Sequence, residues 1–189
     1  MLLTENYRDL NRRLHSDNPV YGVSGRKYAG IVRQIMTQLG TSDVLDYGCG
    51  KCTLQEALGQ PISNYDPCIP EFALPPRPHD IVCCTDVLEH IEPDCLEAVL
   101  ADLRRLTLQV CFMTIHTGAA MKFLADGRNA HLIQEGQDWW LPRLRKAGFT
   151  IRPDSLTLKG PEILVAAMPA PYTLVGDTYR TYLGEVSGS

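Results

Sequence analysis

The sequence predicts an α/β fold whose mostly parallel sheet of six or seven strands carries helices on both faces. Short apolar runs, such as VLDYG and DIVCCTD, alternate along the chain with segments of helical periodicity. Strands that alternate with helices assemble into a parallel sheet. Two strand-like runs near the C-terminus, FTIRPDSLTL and EILVAAM, follow one another closely and predict a closing antiparallel hairpin.

The N-terminal forty residues are predicted to be mostly helical. Residues 3–15 have the pattern of a short amphipathic helix, and residues 16–25 form a turn-rich link that contains a proline and two glycines. In residues 26–39, Ile31, Ile35 and Leu39 recur at helical spacing and share one face. The sequence therefore predicts two helices ahead of the first strand.

The predicted strands and helices of the core follow in order. VLDYG is a buried strand, followed by a glycine turn and a helix over residues 53–58, and ISNYD is the second strand. The next twelve residues, PCIPEFALPPRP, contain five prolines and are predicted to be a loop. DIVCCTD and LQVCFMTIH are strands that flank a helix over residues 93–106, and Gly148 ends a helix over residues 136–147.

Length, charge and cysteine usage limit the class of protein. The 189 residues predict a single domain, with N-terminal helices and a lid (1–40), a core (41–168) and a tail (169–189). The net charge of -4 disfavours a non-specific nucleic-acid binder. The first residues lack the apolar block of a signal peptide, and no apolar run approaches the roughly 20 residues of a membrane span. We expect a cytoplasmic protein, outside the membrane, whose seven cysteines are reduced thiols.

The segment VLDYGCGKC is the first candidate for a ligand site, because it leaves a predicted strand and enters a helix. Glycines at such a place let the backbone approach a ligand closely. A phosphate-binding GxxxxGK[ST] loop is disfavoured, because leucine holds the first glycine position and cysteine the Ser/Thr position. A GxGxxG dinucleotide loop fails at Thr53. Two interpretations remain: an acidic D-x-G-x-G loop formed by Asp46, Gly48 and Gly50, and a plain tight turn.

An aspartate at the end of the second strand favours the acidic loop. Asp66 stands twenty residues after Asp46. An acidic residue there is placed to accept hydrogen bonds from both ribose hydroxyls of a nucleoside. The alternative is a turn aspartate before Pro67. Together the glycine loop and Asp66 predict a nucleoside cofactor.

The segment TDVLEHIEPD follows the next apolar strand and places two carboxylates and an imidazole close together in the sequence. Asp86, Glu89 and His90 are at i, i+3 and i+4, which is one face of a helix. One interpretation is a helix cap, with Asp86 at the N-cap and Glu89 closing a capping box. The other is a divalent metal site, since carboxylates with an imidazole suit Mg²⁺, Mn²⁺ or Zn²⁺.

The order of these segments resembles class I S-adenosylmethionine-dependent methyltransferases, which have a Rossmann-like fold. The resemblance rests on VLDYGCGKC, YDP and HDIVCCTDVLEHIEPDCLEAVLADLRRL and covers residues 44–168. It implies that Asp46, Gly48 and Gly50 bind the methionine part of S-adenosylmethionine and that Asp66 binds its ribose. The further cofactor contacts that it implies are Tyr21, Cys84, Thr85 and Asp86. These enzymes usually have a third strand near the adenine, and here the proline-rich loop takes its place.

Two branches of this family are similar to the chain around its acidic and histidine residues. Small-RNA 3′-terminal 2′-O-methyltransferases carry E-x-x-E-H and a later R-N-x-x-H ahead of an aromatic helix, and quinone-biosynthesis O-methyltransferases carry a related E-x-L-E-H. Here the first motif reads Asp86-Val-Leu-Glu89-His90 and the second Arg128-Asn-Ala-His131. In both branches these positions are linked to a divalent ion. The resemblance implies a metal site formed by Asp86, Glu89, His90 and His131, with a shorter acidic arm at Asp86.

The resemblance also implies a mechanism, in which an acceptor hydroxyl coordinates the ion and loses its proton to a histidine. The candidate catalytic residues are His90, His116 and His131; without metal, His116 or His131 is the candidate base. Methyltransferases that modify amino groups of DNA bases carry a D/N-P-P-Y/F motif at the end of the fourth strand. Here that place reads Cys84-Thr85-Asp86, so N-methylation of a base is disfavoured. We expect O-methylation of a small polar molecule. The alternatives are a terminal or 2′-hydroxyl of RNA or DNA as acceptor, and a non-catalytic S-adenosylmethionine-binding partner protein.

Overall fold

A computed structural model describes residues 1–170 as five helices around one sheet; most of the predicted tail, residues 171–189, lies outside the described residues. The helices are α1 (Glu5–Asp17), α2 (Ala29–Leu39), α3 (Thr53–Leu58), α4 (Leu96–Leu106) and α5 (Gln137–Lys146). The strands are β1 (Val44–Tyr47), β2 (Ser63–Tyr65), β3 (His79–Thr85), β4 (Thr107–His116), β5 (Phe149–Thr150), β6 (Leu156–Lys159) and β7 (Glu162–Pro169). None of the described helices is long and apolar enough to cross a bilayer.

The seven strands form one sheet in the order β2-β1-β3-β4-β7-β5, with β6 also paired to β7. The pairs among β2, β1, β3 and β4 are parallel, and β7 is antiparallel to β4, β5 and β6. The predicted fold class is therefore confirmed, including the closing antiparallel hairpin. The proline-rich segment contains a single 3-10 turn, Pro70–Phe72, so that β2 forms one edge of the sheet.

Successive side chains of the central strands point to opposite faces of the sheet and fill two apolar layers. In β3, Ile81 and Cys83 face the layer beneath α2 and α3, whereas Val82 and Cys84 face the layer beneath α4 and α5. Ile81 to Cys84 are fully buried, so the middle of β3 is apolar on both faces, as expected for a strand of a parallel sheet. All seven cysteines are free thiols, as predicted.

Three predicted elements are divided in the structure. The helices predicted over residues 26–39 and 93–106 each begin as a 3-10 turn, which is Ser24–Tyr28 before α2 and Pro93–Cys95 before α4. The strand predicted for FTIRPDSLTL is broken into β5 and β6 by the turn Pro153–Ser155. Pro153 fixes its own φ and has no N–H to donate to the sheet, which explains the break.

At the amino ends of the parallel strands, an aspartate that precedes β1 links β1 to β3. Asp43 accepts hydrogen bonds from Arg77, from Nδ1 of the buried His79 at 2.8 Å and from the backbone N–H of Asp80 at 3.3 Å. Arg77, followed by His79, lowers the pKa of Asp43 to about 2. The ionised carboxylate thus holds the starts of β1 and β3 together.

We expect Asp43→Asn to lower the free energy of unfolding by about 1 kcal/mol at pH 7. A depressed carboxyl pKa stabilises the folded state above the unfolded value of about 3.9, and this contribution is lost as the pH falls towards about 2. The difference between the variant and the wild type should therefore be smaller at pH 3 than at pH 7 in urea unfolding. Asp9→Asn, which removes an exposed partner of Arg12, is the control; an equal loss in both variants would contradict the role of Asp43.

Candidate active site

The glycine loop lies between β1 and α3, at the carboxyl end of the sheet. Gly48 and Gly50 both have positive φ, 77° and 50°. The N–H groups of Gly48 and Cys49 donate to the carbonyl of Tyr65, at 2.7 and 3.1 Å, which ties the loop to the end of β2. A Cβ at Gly48 would lie 2.4 Å from Cγ2 of Val87. Glycine is therefore required here by both backbone conformation and close contact.

Residues 18–25, which we call the lid segment, lie directly on this loop. The N–H of Lys51 donates to the carbonyl of Gly22 at 2.9 Å, and its ammonium donates to the carbonyl of Asn18 at 2.7 Å. A Cβ at Gly50 would lie 2.6 Å from the carbonyl oxygen of Gly22. Two glycine backbones thus pack against each other and close one side of a cavity.

Two aspartates stand beside the glycine loop, as predicted from their positions. Asp46 is 2% exposed, and burial, with Asp66 nearby, raises its pKa to about 7. Asp66 accepts from the N–H of Gly50 at 3.2 Å and from the N–H of Cys68 at 2.9 Å. Burial also raises the pKa of Asp66. Both carboxylates line the cavity, where hydroxyl or ammonium donors of a ligand would offset the cost of their burial.

Three of the four predicted metal ligands come together in the structure. Glu89, His90 and His131 each offer one ligand atom, and these atoms lie within 4.8 Å of one another. Glu89 and His90 belong to a 3-10 turn after β3, whereas His131 belongs to a loop after β4. The turn and the loop meet because the N–H of Ile133 donates to the carbonyl of Glu89 at 3.0 Å.

The hydrogen bonds of the two histidines orient their rings for a cation. Nδ1 of His90 lies 2.8 Å from the carbonyl oxygen of Ala130, and Nδ1 of His131 lies 2.6 Å from that of Gly118. Since a carbonyl accepts and cannot donate, each Nδ1 carries the ring proton and leaves Nε2 with a free lone pair. Burial lowers the pKa of His90 to about 4 and also lowers that of His131, so both rings are neutral near pH 7.

The third member, Glu89, has one carboxylate oxygen without a partner. Its side chain is fully buried, and Oε1 accepts from the N–H of His116 at 2.9 Å. Within residues 1–170, Oε2 makes no hydrogen bond. Burial, with Asp86 nearby, raises the pKa of Glu89 to about 8. A buried carboxylate oxygen without a donor is costly, and a bound cation would remove that cost.

Asp86, the fourth predicted ligand, lies outside this group. Its φ is 54°, and its carboxylate accepts from the hydroxyls of Thr114 at 2.8 Å and Tyr28 at 3.5 Å. The residues after it form a 3-10 turn, Leu88–His90, so the shared helix face assumed for i, i+3 and i+4 does not form. That turn has no side-chain cap, and the capping-box interpretation of Asp86 is wrong. Its predicted contact with a cofactor stays a prediction; it lines the cavity.

His116 ends β4 next to the three ligands. Its ring centroid lies 5.0 Å from that of His131, and its Nδ1 lies 3.1 Å from the nitrogen and 3.2 Å from the oxygen of Gly118. The same glycine carbonyl that orients His131 therefore also borders His116. Both rings face the cavity, and the geometry is compatible with either tautomer of His116.

The loop that carries His131 is held by Asn129, which belongs to the R-N-x-x-H motif but had been assigned no role from the sequence. Oδ1 of Asn129 accepts from the N–H groups of Ala120 and His131, and its amide nitrogen donates to the carbonyl of Ala120, each at 2.9 Å. These three bonds close the loop and fix the position of His131. The sequence contained a signal for this turn, because an asparagine side chain commonly binds the backbone two residues further on, and His131 is two residues after Asn129.

The groups described so far share one cavity of about 680 Å³. The predicted site residues that line it are Tyr21, Asp46, Gly48, Asp66, Thr85, Asp86, Glu89, His90, His116 and His131. Two others do not line it. Cys84 is fully buried in the apolar layer beneath α4, and Gly50 lies behind Asp66 and binds it through its N–H.

Helix α1 closes the cavity with residues that the sequence analysis did not assign. Tyr7, Asn11 and His15 line it. Asn11 donates to the hydroxyl of Tyr7 at 3.0 Å, and the ring of His15 contacts that of Tyr21, with centroids 4.7 Å apart. The hydroxyl of Tyr21 lies 3.4 Å from Nδ1 of His90. Tyr7, Asn11 and His15 are at i, i+4 and i+8, on one face of the predicted helix, and this spacing was the signal in the sequence that could have identified them.

Comparisons with known proteins agree with this architecture at the level of the fold. Neither the protein-family models nor the curated proteins gave a match to this chain. Among solved structures, it is similar to the 1,6-didemethyltoxoflavin-N1-methyltransferase of Burkholderia thailandensis, with a TM-score of 0.63, 17% identity and coverage of 89% of this chain and 91% of that chain. That structure contains bound 1,6-didemethyltoxoflavin and S-adenosylhomocysteine.

Two further structures give the same result. The magnesium protoporphyrin IX methyltransferase of Synechocystis PCC 6803, with bound S-adenosylhomocysteine, is 18% identical, has a TM-score of 0.54, and matches 88% of this chain and 95% of that chain. A TehB-like S-adenosylmethionine-dependent methyltransferase of Corynebacterium glutamicum is 17% identical, with a TM-score of 0.53 and coverage of 87% and 96%. The chain therefore has the fold of class I S-adenosylmethionine-dependent methyltransferases.

Proposed function

We propose that this chain, which has the class I methyltransferase fold, transfers the methyl group of S-adenosylmethionine to a hydroxyl of a small polar acceptor, with a divalent metal ion at Glu89, His90 and His131. The observation that carries the proposal is that the glycine loop with Asp66 and the three possible metal ligands line one cavity. A cofactor and an acceptor bound in that cavity would be held next to each other. Positioning of this kind supplies much of the rate gain in group transfer.

The cofactor end of the cavity is formed by Asp46, Gly48 and Asp66. The three solved methyltransferases include two with S-adenosylhomocysteine bound, and the same fold supports the same cofactor here. Asp66 lies at the carboxyl end of β2 and lines the cavity, which suits a carboxylate that binds ribose hydroxyls. The lid segment, with Tyr21, would cover the cofactor on its outer side.

The metal end fits a small divalent ion. One carboxylate and two neutral imidazoles are a mixed oxygen and nitrogen ligand set that suits Mn²⁺ or Zn²⁺ and admits Mg²⁺. The free Oε2 of Glu89 and the free Nε2 atoms of His90 and His131 are the donors. When bound, such an ion would lower the pKa of an acceptor hydroxyl and orient it.

The chain's own residues provide a route for the acceptor proton. His116 lines the cavity and stands beside the ligand group without being one of its three members. It is the best-placed histidine to accept the proton as the acceptor oxygen attacks the methyl carbon and the sulfur departs. His90 and His131 hold their ring protons against backbone carbonyls, which suits ligands better than bases.

Three arginines that could contribute to a basic patch for a polynucleotide, Arg104, Arg105 and Arg143, make contacts within the protein instead. Arg104 donates to the carbonyls of Gly148 and Ala170 at 3.1 and 2.7 Å, and Arg105 pairs with Asp102 at 2.7 Å. Arg143 stacks over the ring of Trp139, 3.5 Å from its centroid. None of these three lines the cavity. Their engagement supports a small acceptor over an RNA or DNA end.

The test is transfer of labelled methyl from S-adenosylmethionine into separate pools of small metabolites, RNA and DNA, each with Mn²⁺ or Mg²⁺ and with EDTA. Label in small molecules that is lost with EDTA is the expected result. Label in RNA or DNA would replace the small acceptor by a terminal or 2′-hydroxyl of a polynucleotide. Binding of the cofactor without transfer to any pool would indicate a non-catalytic partner protein.

We expect Asp66→Ala to raise the dissociation constant for S-adenosylhomocysteine about thirtyfold, because two hydrogen bonds from ribose hydroxyls to a carboxylate are lost. Isothermal titration calorimetry measures this change directly. Asp126→Ala is the matched control, since Asp126 is exposed and pairs with Arg128 outside the cavity. Equal affinity for the wild type and Asp66→Ala would remove Asp66 from the cofactor site.

A further inference from the structure

The loop that follows β4 places one lysine towards the cavity between two exposed apolar residues. Met121 is 99% exposed and Phe123 is 61% exposed, whereas Leu124 is 4% exposed. Lys122, which lies between the two exposed residues, is half-buried and lines the cavity. This inverts the usual preference, in which apolar side chains turn inward and lysine turns to solvent.

The inward direction of Lys122 is fixed by backbone pairing. The carbonyl of Lys122 accepts from the N–H of Ala130 at 2.9 Å, and Phe123 and Asn129 form an antiparallel bridge. Neighbouring residues of such a pair point to opposite sides, so Phe123 faces away from the side to which Lys122 and the buried Leu124 turn. Met121, although almost fully exposed, also borders the cavity. The same Ala130 orients His90 through its carbonyl and precedes His131. Lys122 therefore belongs to the scaffold that carries two of the three possible metal ligands.

The ammonium of Lys122 has no hydrogen-bond or ion-pair partner among residues 1–170, in contrast to Lys27 and Lys146, which pair with Glu162 and Glu97. It is also the one lysine or arginine among the described residues that line the cavity. The four lining carboxylates have other roles: Asp46 and Asp66 border the glycine loop, Glu89 belongs to the ligand group, and Asp86 accepts hydrogen bonds from the hydroxyls of Thr114 and Tyr28. A cation placed inward with no partner indicates a ligand that supplies the negative charge.

We propose that the acceptor carries an anionic group, carboxylate or phosphate, which Lys122 binds while the acceptor's hydroxyl lies at Glu89, His90 and His131. This inference rests on the proposed methyl transfer and narrows its substrate class from polar molecules to anionic ones. Lys122 acts as a specificity-determining residue at the acceptor side of the cavity. The cofactor contacts at Asp46 and Asp66 do not involve it.

The test uses a metabolite extract filtered to remove polynucleotides, labelled S-adenosylmethionine and Mn²⁺. Product is passed over an anion exchanger, before and after treatment with alkaline phosphatase. We expect the label to be retained; loss of retention after phosphatase identifies a phosphate, and continued retention identifies a carboxylate. With the retained acceptor fraction, Lys122→Gln should raise KM about tenfold, as expected for one charge-assisted hydrogen bond, with kcat within about twofold. Lys122→Arg should restore most of the wild-type KM.

Lys159→Gln is the matched control, because Lys159 is exposed on β6 and lies outside the cavity. Label in the unretained neutral fraction, or the same KM for the Lys122→Gln and Lys159→Gln variants, would overturn the anionic acceptor and leave methyl transfer standing. Label in the separate RNA or DNA pool would overturn it in favour of a polynucleotide. Absence of transfer to every pool would overturn the proposed function and this inference together. The thermal midpoint of each variant shows that it is folded.

Discussion

Glu89→Gln is expected to lower kcat/KM for methyl transfer about a thousandfold, because the substitution removes the negative charge from the proposed metal site while keeping the shape of the side chain. Glu89 is fully buried, and its Oε2 has no donor within the described residues. A neutral amide at this position would still accept the N–H of His116 but would bind a cation weakly. Titration of Mn²⁺ should raise the melting temperature of the wild type and leave that of the variant unchanged.

The control is Glu97→Gln, which neutralises an exposed glutamate of α4 that pairs with Lys146. It should retain full activity and the full response to Mn²⁺. The metal-free forms of the wild type and both variants should have similar far-ultraviolet circular dichroism, which excludes unfolding as the cause. Full activity of Glu89→Gln in the presence of EDTA would show that Glu89 does not bind a metal that the reaction requires.

Gly50→Ala should raise the dissociation constant for S-adenosylhomocysteine at least about a hundredfold. A Cβ at this position would lie 2.6 Å from the carbonyl oxygen and 2.8 Å from Cα of Gly22. Both neighbours are backbone atoms, so the clash can be relieved only by moving the lid segment off the glycine loop. Such overpacking costs about 3 kcal/mol, and this energy corresponds to about a hundredfold in affinity.

Gly59→Ala is the control that distinguishes the effect of the contact between Gly50 and Gly22 from the effect of backbone strain. Gly59 has a φ of 71°, and a Cβ there would meet no atom within 4 Å. Both substitutions place alanine in the left-handed region, which costs about 1 kcal/mol, but Gly50→Ala alone also displaces the lid segment. Calorimetric titration of each variant gives the comparison. Equal cofactor affinity in the two variants would show that the lid contact does not contribute to binding.

The sheet was predictable because its strands contain apolar runs and are bounded by residues, such as glycine and proline, that mark turns. In β3, Ile81 to Cys84 are all buried, and the apolar run IVCC within DIVCCTD predicts such a strand. The glycine loop was recognisable for a similar reason, since Gly48 and Gly50 take conformations that other residues rarely adopt. Local sequence thus determines these elements directly.

The arrangement of the site depended on contacts that sequence spacing does not contain. Asp86, Glu89 and His90 would share a face only on a regular helix, but the positive φ of Asp86 directs its side chain to Thr114 on β4. His131 reaches the group through Asn129, which joins the two ends of its loop. The bond from Thr114 to Asp86 spans 28 residues and the bond from Ala120 to Asn129 spans 9, and a local helical pattern does not predict either of them.

The strands at both edges of the sheet are short, and this affects whether two copies of the chain can associate through their sheet edges. At one edge β2 has three residues and is followed by the proline-rich segment; at the other, the turn at Pro153 separates the two residues of β5 from the four of β6. An uninterrupted edge offers a row of unpaired backbone donors that templates strand addition and aggregation. Neither edge of the described sheet offers such a row, since prolines lack the donor and the interruptions break the register. The prolines and short strands at the two edges therefore also protect the protein against edge-to-edge association.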